Sequence, residues 1–358
     1  MLLLDNKQYK EDIKKITDIN LPWEKLKDKQ IVLTGATGLL GSFLVDVLMQ
    51  KNKEGLNCKI YVLSRNENKA RERFSKWGDN QNLVYCQCDV KKAVTIEISN
   101  IDFVLHLASN THPLLYSTDP IGTIETNIIG LKNMLDFAVE HHAKRFAFAS
   151  SNEIYGENRG DVDLFDEAYC GYIDSNTLRA GYPESKRCGE ALCQAYKTQK
   201  GLDFVIPRFT RSYGPTMLMT DSKAISQFIH KGVNGENVIL KSVGNQKYSY
   251  TYMADAIYGL LIILLCGENG EAYNIADESS NITLKELAQI VANYVGKEVV
   301  YERPDLVEEK GYSKATKALL DGTKLKKLGW KPIYNVNNGI PRTIEILKSI
   351  YNNQGDVN

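Results

Sequence analysis

The chain has 358 residues, of which 43% are hydrophobic and 25% charged, and its 44 basic residues balance its 44 acidic residues to a formal net charge of zero. This composition is typical of a globular protein and excludes a disordered or collagen-like chain, and the neutral charge argues against a nucleic-acid partner. The length exceeds what one hydrophobic core usually supports, so we expect a large domain with a smaller lobe.

The first 29 residues are charged and show weak helical periodicity, which predicts an N-terminal helical extension. They turn polar after four residues, so we expect no signal peptide. The longest apolar run, 257–266, is too short for a membrane span and predicts a buried helix, so we expect no membrane contact. The seven cysteines lack zinc-like pairs, which predicts no bound metal and a reduced, cytoplasmic protein.

From Gln30 onward, short apolar runs alternate with helical stretches. The runs are IVLTG, KIYVLSR, NLVYCQCDV, FVLHLAS, RFAFASS and DFVIPRF. They predict an α/β fold, a doubly wound parallel sheet of the Rossmann type over residues 30–207. After Arg208 turns cluster, which predicts a smaller α/β substrate lobe over 208–250 and 269–350. Residues 251–268 are expected to form a helix that returns to the first domain, 351–358 a tail, and Thr283 with Glu286 a capping box.

The segment 34–41, TGATGLLG, follows the first predicted strand and opens a helix. In that context Gly35 permits a tight turn, Gly38 lets backbone N–H groups approach a pyrophosphate, and Gly41 allows close packing of helix and strand. The helix N-terminus adds unpaired donors and a partial positive charge. The segment therefore predicts a dinucleotide site.

The end of the second strand usually selects the dinucleotide, because a carboxylate there binds the ribose hydroxyls of NAD and an arginine accommodates the phosphate of NADP. Here Ser64 and Arg65 occupy it, without an acid. Arg65 favours NADP, or it is a solvated loop charge. Asp89, after the third strand, suits an adenine contact or a helix cap.

Tyr182 and Lys186 are four residues apart and share one face of a predicted helix. An ammonium ion near a phenol, together with a cationic nicotinamide, stabilises the phenolate, so we expect Lys186 and the cofactor to lower the pKa of Tyr182. The phenolate can then take a proton from a substrate hydroxyl while a hydride leaves its carbon. Ser151, at the end of the strand RFAFASS, could orient that hydroxyl.

The glycine loop, the segment SNEIYG at 151–156 and Tyr182-x-x-x-Lys186 together resemble extended short-chain dehydrogenases/reductases, the NAD-dependent epimerase/dehydratase family, over about residues 30–345. The stretches HLASNTHPLLYSTDPIGTIETNIIGLKNML and YGPTMLMTDSKAISQFI are similar to those of its UDP-glucuronate decarboxylases and sugar-nucleotide 4,6-dehydratases. The resemblance implies NAD, a nucleotide-sugar substrate and a homodimer through helices around 123–141 and 182–199. The cofactor contacts that we expect are Gly35, Thr37, Gly38, Leu39, Leu40, Gly41, Ser64, Arg65, Asp89, Val90, Leu107, Ala108, Tyr182 and Lys186.

Glu153 matches an acid that, in the dehydratases and decarboxylases, moves protons after C4 of the sugar is oxidised. A 4-ketone acidifies the C5 proton, and a nearby carboxylate can remove it; alternatively, Glu153 is a loop charge or a helix cap. Asn152 replaces the Asp of hexose dehydratases, which argues against water elimination. Ser151, Glu153, Tyr182 and Lys186 are therefore the expected catalytic residues.

The family resemblance also implies substrate contacts. Arg211 stands where the family usually has Asn, and Tyr248 where an Arg commonly binds the nucleotide diphosphate. Arg211 and Lys247 could supply the missing positive charge, or each forms a surface ion pair. The expected substrate contacts are His112, Asn152, Arg208, Arg211, Lys247 and Tyr248.

These observations predict an NAD(P)-dependent enzyme that modifies a nucleotide sugar through a C4-keto intermediate, by dehydration or decarboxylation. Epimerisation is one alternative, and reduction of a carbonyl substrate by free NADPH is another, which Arg65 supports. A non-catalytic dinucleotide-binding protein is the third, against which the set of Ser151, Tyr182 and Lys186 argues.

Overall fold

The computed structural model describes residues 2–96, 98, 100–111, 113–304 and 315–355. The strands are β1 (Gln30–Thr34), β2 (Lys59–Ser64), β3 (Leu83–Gln87), β4 (Phe103–His106), β5 (Arg145–Phe148), β6 (Ser150–Ser151), β7 (Phe204–Phe209), β8 (Arg211–Tyr213), β9 (Val238–Leu240), β10 (Lys247–Tyr252), β11 (Glu271–Ile275), β12 (Asn281–Thr283), β13 (Val299–Tyr301) and β14 (Lys317–Ala318). The helices are α1 (Lys7–Thr17), α2 (Leu39–Lys53), α3 (Glu67–Arg73), α4 (Pro113–Thr118), α5 (Pro120–Glu140), α6 (Gly181–Lys200), α7 (Ala224–Asn234), α8 (Met253–Cys266), α9 (Leu284–Val295), α10 (Thr323–Lys327) and α11 (Val336–Gly355).

The large sheet has the order β3-β2-β1-β4-β5-β7-β11, with β6 beside β7, and every pairing in it is parallel. Successive residues of β1 face opposite sides of the sheet: Ile31 and Leu33 join a core with α2 and α8, whereas Val32 joins a core with α5 and α6. Both faces are therefore covered by helices, which confirms the predicted doubly wound fold.

The smaller lobe contains a sheet of β12, β10 and β14, in which β8 also pairs with β10, and a two-stranded sheet of β9 and β13. Thr283 caps α9 as predicted: its hydroxyl accepts from the Glu286 N–H at 3.1 Å, and the Glu286 carboxylate accepts from the Thr283 N–H at 2.7 Å. One boundary needs correction, because β11 lies in 269–350 yet pairs with β7 as the last strand of the large sheet.

The N-terminal extension forms α1, which is anchored by two buried carboxylates. The Tyr9 hydroxyl donates to Asp46 on α2 at 2.6 Å. Asp12 on α1 accepts from the Tyr252 hydroxyl at 2.6 Å and from Arg342 on α11 at 2.7 Å. The extension therefore connects the start of the described chain to α2 and to α11, the C-terminal helix.

The helix that begins at Met253 returns to the large sheet, packing against α2, β7 and β11. It is almost wholly buried but has only 14 residues. Across the described residues, no helix has both the length and the apolar character needed to cross a membrane.

Candidate active site

A cleft of about 600 Å³ opens between the carboxyl ends of β1, β2 and β4 and the smaller lobe. Ligands of open α/β sheets bind at this edge, and the volume suits an organic ligand. All fourteen predicted cofactor contacts line it: Gly35, Thr37, Gly38, Leu39, Leu40, Gly41, Ser64, Arg65, Asp89, Val90, Leu107, Ala108, Tyr182 and Lys186.

The glycine loop is shaped by contacts that leave no room for side chains. Gly35 has a positive φ of 69°, and a Cβ there would lie 2.7 Å from the Leu107 carbonyl carbon. A Cβ on Gly41 would lie 2.3 Å from the Gly35 carbonyl oxygen, whereas one on Gly38 would meet only that oxygen, at 3.3 Å. The space around Gly38 is therefore open to the cleft, and a dinucleotide phosphate fits against the loop and the N-terminus of α2.

A buried histidine holds the loop against the neighbouring strand. His106 Nδ1 lies 2.9 Å from the Thr34 hydroxyl, and that hydroxyl accepts from the Ala108 N–H at 3.2 Å. Burial, followed by the positive charge of Lys186, lowers the pKa of His106 to about 3. The ring is therefore neutral and positions the loop rather than transferring protons near neutral pH.

At the end of β2 the cleft is lined by Ser64, Arg65, Asn66 and Lys69, without a carboxylate among them. The Asn66 side chain caps α3 by accepting from the Lys69 N–H at 3.0 Å, and Arg65 is exposed. Asp89 lines the cleft, as an adenine contact requires. The alternative of a helix cap is wrong, because no helix of the described chain begins there and the Asp89 carboxylate accepts from the Lys91 N–H at 3.1 Å within a turn.

The predicted proton-transfer residues converge in the same cleft. Ser151 ends β6, and Tyr182 and Lys186 lie on the first turns of α6; all three are more than nine-tenths buried. The Lys186 ammonium donates to the Ala149 carbonyl at 2.8 Å and lies 5.9 Å from the centre of the Tyr182 ring. Burial lowers the pKa of Lys186 to about 7.

In the chain alone the pKa of Tyr182 is raised rather than lowered, and the lowering expected with a bound nicotinamide stays a prediction. Burial raises the pKa of Tyr182 well above its usual value, and the negative charge of Glu153 raises it further. Ser151, Ser109 and Arg179 act in the opposite direction but do not outweigh burial. In the chain alone the phenol is therefore protonated at neutral pH, chiefly because burial disfavours its anion.

Glu153 lies in the single helical turn Asn152–Tyr155 and is paired with an arginine that the sequence analysis missed. Arg179 Nη2 donates to the Glu153 carboxylate at 2.5 Å, and the two side chains are 14% and 20% exposed. The Arg179 guanidinium also lies 4.6 Å from the centre of the Tyr116 ring, which stacks on Tyr182 at 4.8 Å. Glu153, Arg179, Tyr116 and Tyr182 thus form one contiguous group in the cleft.

The one sequence signal that could have identified Arg179 is its position three residues before Tyr182, in the short helical turn Leu178–Ala180 that precedes α6. Tyr116 carries no comparable signal, because its contact with Tyr182 joins α4 to α6. In the described part of the chain no group of His, Cys, Asp and Glu side chains could hold a metal ion.

The predicted substrate contacts divide into three groups. Asn152, Arg211 and Tyr248 line the cleft. Arg208 and Lys247 do not: Arg208 is held by Glu190 at 2.6 Å, and Lys247 is exposed on β10. The expectation of substrate contact is therefore replaced by a structural role for Arg208 and a solvated position for Lys247. His112 lies outside the described residues.

Comparison with known proteins gives a match to the model of the "NAD dependent epimerase/dehydratase family" over residues 31–276. Among curated proteins, the chain is 30% identical over 313 residues to UDP-glucuronic acid decarboxylase 6 of Arabidopsis thaliana, covering 87% of each chain.

Two solved structures share the fold. A dTDP-glucose 4,6-dehydratase from Streptomyces venezuelae, solved with NAD bound, has a TM-score of 0.78 at 24% identity, over 91% of this chain and 98% of that one. A UDP-glucuronic acid 4-epimerase from Bacillus cereus, in complex with UDP-glucuronic acid and NAD, has a TM-score of 0.75 at 19% identity, over 90% of this chain and 100% of that one.

Proposed function

Because this chain belongs to the NAD dependent epimerase/dehydratase family, we propose that it is an NAD(P)-dependent enzyme that modifies a nucleotide sugar through a C4-keto intermediate, as a dehydratase or decarboxylase. The observation that carries the proposal is the presence of Ser151, Glu153, Tyr182 and Lys186 in the same cleft as the glycine loop. A dinucleotide-binding protein without catalysis would need only the loop.

The side chains at the end of β6 and the start of α6 would handle the first proton. Ser151 orients the sugar hydroxyl, Tyr182 takes its proton, and Lys186 binds the ribose of the dinucleotide and adds positive charge beneath the phenol. A bound oxidised nicotinamide supplies the hydride acceptor and a further positive charge. That charge favours the phenolate, which burial otherwise disfavours.

Glu153 would act on the keto intermediate, since a 4-ketone acidifies the neighbouring C5 proton and a carboxylate can accept it. The ion pair with Arg179 supports this role, because it fixes the position of the carboxylate beside Tyr116 and Tyr182. Asn152, which is buried beside it, cannot protonate a leaving hydroxyl as an acid would. We therefore favour a reaction other than simple water elimination.

For the cofactor, we propose NADP. Gly35, Gly38 and the N-terminus of α2 would hold its pyrophosphate. The support for NADP over NAD is the pair of cations, Arg65 and Lys69, that lines the cleft at the end of β2.

We also propose a cytoplasmic homodimer with a cofactor domain over 30–207 and a substrate lobe formed mainly after residue 208. Ile121, Ile124 and Ile129 on α5 are 71%, 39% and 45% exposed, and α5 packs on α6. Such a row of exposed apolar side chains supports an interface with a second copy. Seven free cysteines support a reducing compartment.

A pair of variants tests the reaction. Tyr182→Phe removes the proton acceptor, so turnover of a nucleotide sugar should fall by about 10²- to 10⁴-fold. The dinucleotide content of the purified protein should stay unchanged. Glu153→Gln should still oxidise C4, seen as absorbance of the reduced nicotinamide, but should release no product. Near-normal turnover by Tyr182→Phe would overturn the assignment, and complete turnover by Glu153→Gln would make Glu153 structural.

A further inference from the structure

A side cavity of about 100 Å³ adjoins the 600 Å³ cleft beside Glu153. The residues that line both spaces are Asn152, Glu153, Arg179 and Arg211. The side cavity is also lined by the exposed residues Glu157, Tyr172 and Asp174, which do not line the cleft. It therefore runs from Glu153 to the protein surface at a place of its own.

The backbone fixes one wall of this side cavity. The Glu157 N–H donates to the Tyr172 carbonyl at 2.8 Å, in an isolated antiparallel bridge. Gly156, beside it, has a positive φ of 68°, and a Cβ there would lie 2.3 Å from the Tyr172 carbonyl oxygen. Because the two segments approach this closely, the wall cannot close inward without moving backbone.

Three buried nitrogen atoms belong to residues at the junction of the two spaces and have no hydrogen-bond partner within the described chain. They are Arg179 Nε, Arg179 Nη1 and Arg211 Nη1. Both guanidinium groups are held on another side, Arg179 by Glu153 and Arg211 by the ring of Tyr248, whose centre lies 3.5 Å from the guanidinium carbon. Since a buried donor without an acceptor is costly, these N–H groups require acceptors that the surrounding side chains do not supply.

Water is the acceptor that suits the size and the charge of the side cavity. A water takes up about 30 Å³ in the liquid, so the space holds about three. The free N–H groups and the lining carboxylates give each water the polar partners that a buried water needs. An inorganic anion is disfavoured, because Glu153, Glu157 and Asp174 set three carboxylates against the two arginines.

We propose that the side cavity holds a chain of waters that carries protons between Glu153 and bulk solvent while dinucleotide and sugar fill the cleft. The inference rests on the proposed function and adds the route by which its carboxylate is reset. Glu153 takes the C5 proton and becomes a neutral acid. It then donates that proton to the adjacent water, another proton leaves the far end of the chain to solvent, and Glu153 is again a carboxylate. The cycle consumes no further reactant.

The hydration of the side cavity can be tested without turnover. A crystal structure of the full chain with its dinucleotide, at a resolution that shows ordered waters, should place waters within hydrogen-bond distance of Arg179 Nε and Arg211 Nη1. A dry cavity, or one filled by a side chain, would overturn the proposal.

Two substitutions that fill the side cavity test the proton route. Thr177→Leu adds bulk from the segment before α6, and Ala318→Leu adds bulk from β14. The probes are UDP-glucose and UDP-glucuronate, each in ¹H₂O and ²H₂O. Oxidation of C4, seen as absorbance of the reduced nicotinamide, should keep its rate, whereas product release should slow by about tenfold or more. The solvent isotope effect on product formation should exceed that of the wild type, because proton transfer becomes rate-limiting.

Two matched controls separate the filling of space from other effects. Thr177→Val keeps the size of the side chain and removes the hydroxyl that donates to the Asp174 carbonyl at 2.8 Å. Ala168→Leu adds the same bulk as Ala318→Leu at an exposed position that lines neither space. Both should match the wild type in rate and in solvent isotope effect.

The outcomes distinguish this route from the reaction itself. If both filled variants turn over like Ala168→Leu, the route fails and the proposed function stands. The route also fails if filling slows C4 oxidation and product formation equally, since a displaced active site would explain that result. If neither nucleotide sugar reduces the bound dinucleotide, the proposed function fails and takes the proton route with it.

Discussion

The two ends of the cleft are built in different ways. The dinucleotide end is built around backbone: the loop of three glycines and the N-terminus of α2 lie within residues 35–41, beside the ends of β2 and β4. The sugar end is made of side chains from α4, α6, β8, β10 and the turn after β6. Under the proposed function, the first end would bind a dinucleotide and the second would determine the reaction of the sugar.

The two ends of the cleft therefore differ in which amino-acid substitutions they tolerate. At the dinucleotide end, a Cβ added to Gly35 or Gly41 would lie less than 3.0 Å from backbone atoms, so neither position accommodates a side chain without a backbone shift. At the sugar end the contacts are ion pairs and ring stacks, as between Glu153 and Arg179 or between Arg211 and Tyr248. Substitutions there change the charge available to a substrate while leaving the backbone in place.

The largest effect should come from Gly41→Ala. The new Cβ would lie 2.3 Å from the Gly35 carbonyl oxygen and 2.7 Å from the Ala36 Cα, so backbone must move. We expect loss of dinucleotide binding and a destabilisation of about 1–3 kcal/mol. Dinucleotide content and the unfolding midpoint measure the two effects.

Gly38→Ala is the matched control, because its Cβ would meet only the Gly35 oxygen, at 3.3 Å. It should unfold at nearly the wild-type midpoint while binding dinucleotide more weakly. If Gly41→Ala binds dinucleotide normally, the backbone contacts do not define this end of the cleft.

A smaller effect is expected from Arg179→Gln at the sugar end. Without its cation Glu153 is left beside Tyr116 and Tyr182 without a charged partner, so kcat should fall by about 10- to 100-fold with dinucleotide content unchanged. Arg179→Lys, which keeps the charge, should recover part of the rate. Arg159→Gln, at an exposed ion pair with Asp161, is the control and should turn over normally. Loss of dinucleotide in Arg179→Gln would mean that the two ends are not independent.

The sequence predicts features that are set by local patterns better than contacts between distant segments of the chain. The glycine spacing and the alternation of strands and helices are local patterns, and they predicted the parallel strands of the large sheet within residues 30–207 and the turn from β1 into α2. The partner of Glu153 was not predictable in this way, since the Arg179 contact depends on how α6 packs beside the turn after β6. Likewise β11 joins the large sheet through pairing with the distant β7, which its own short sequence does not encode.

The smallest expected effect concerns the choice of dinucleotide. Arg65 is exposed at the end of β2, where solvent and salt weaken its attraction for a phosphate. We expect Arg65→Ser to reduce the preference for NADP over NAD by about tenfold, measured as the ratio of the two dissociation constants on stripped protein. Arg71→Ser is the matched control, because Arg71 pairs with Glu67 on the same helix and lies outside the cleft wall. An unchanged ratio of dissociation constants in Arg65→Ser would show that Arg65 is a solvated loop charge. The proposed preference for NADP would then lose its support from Arg65.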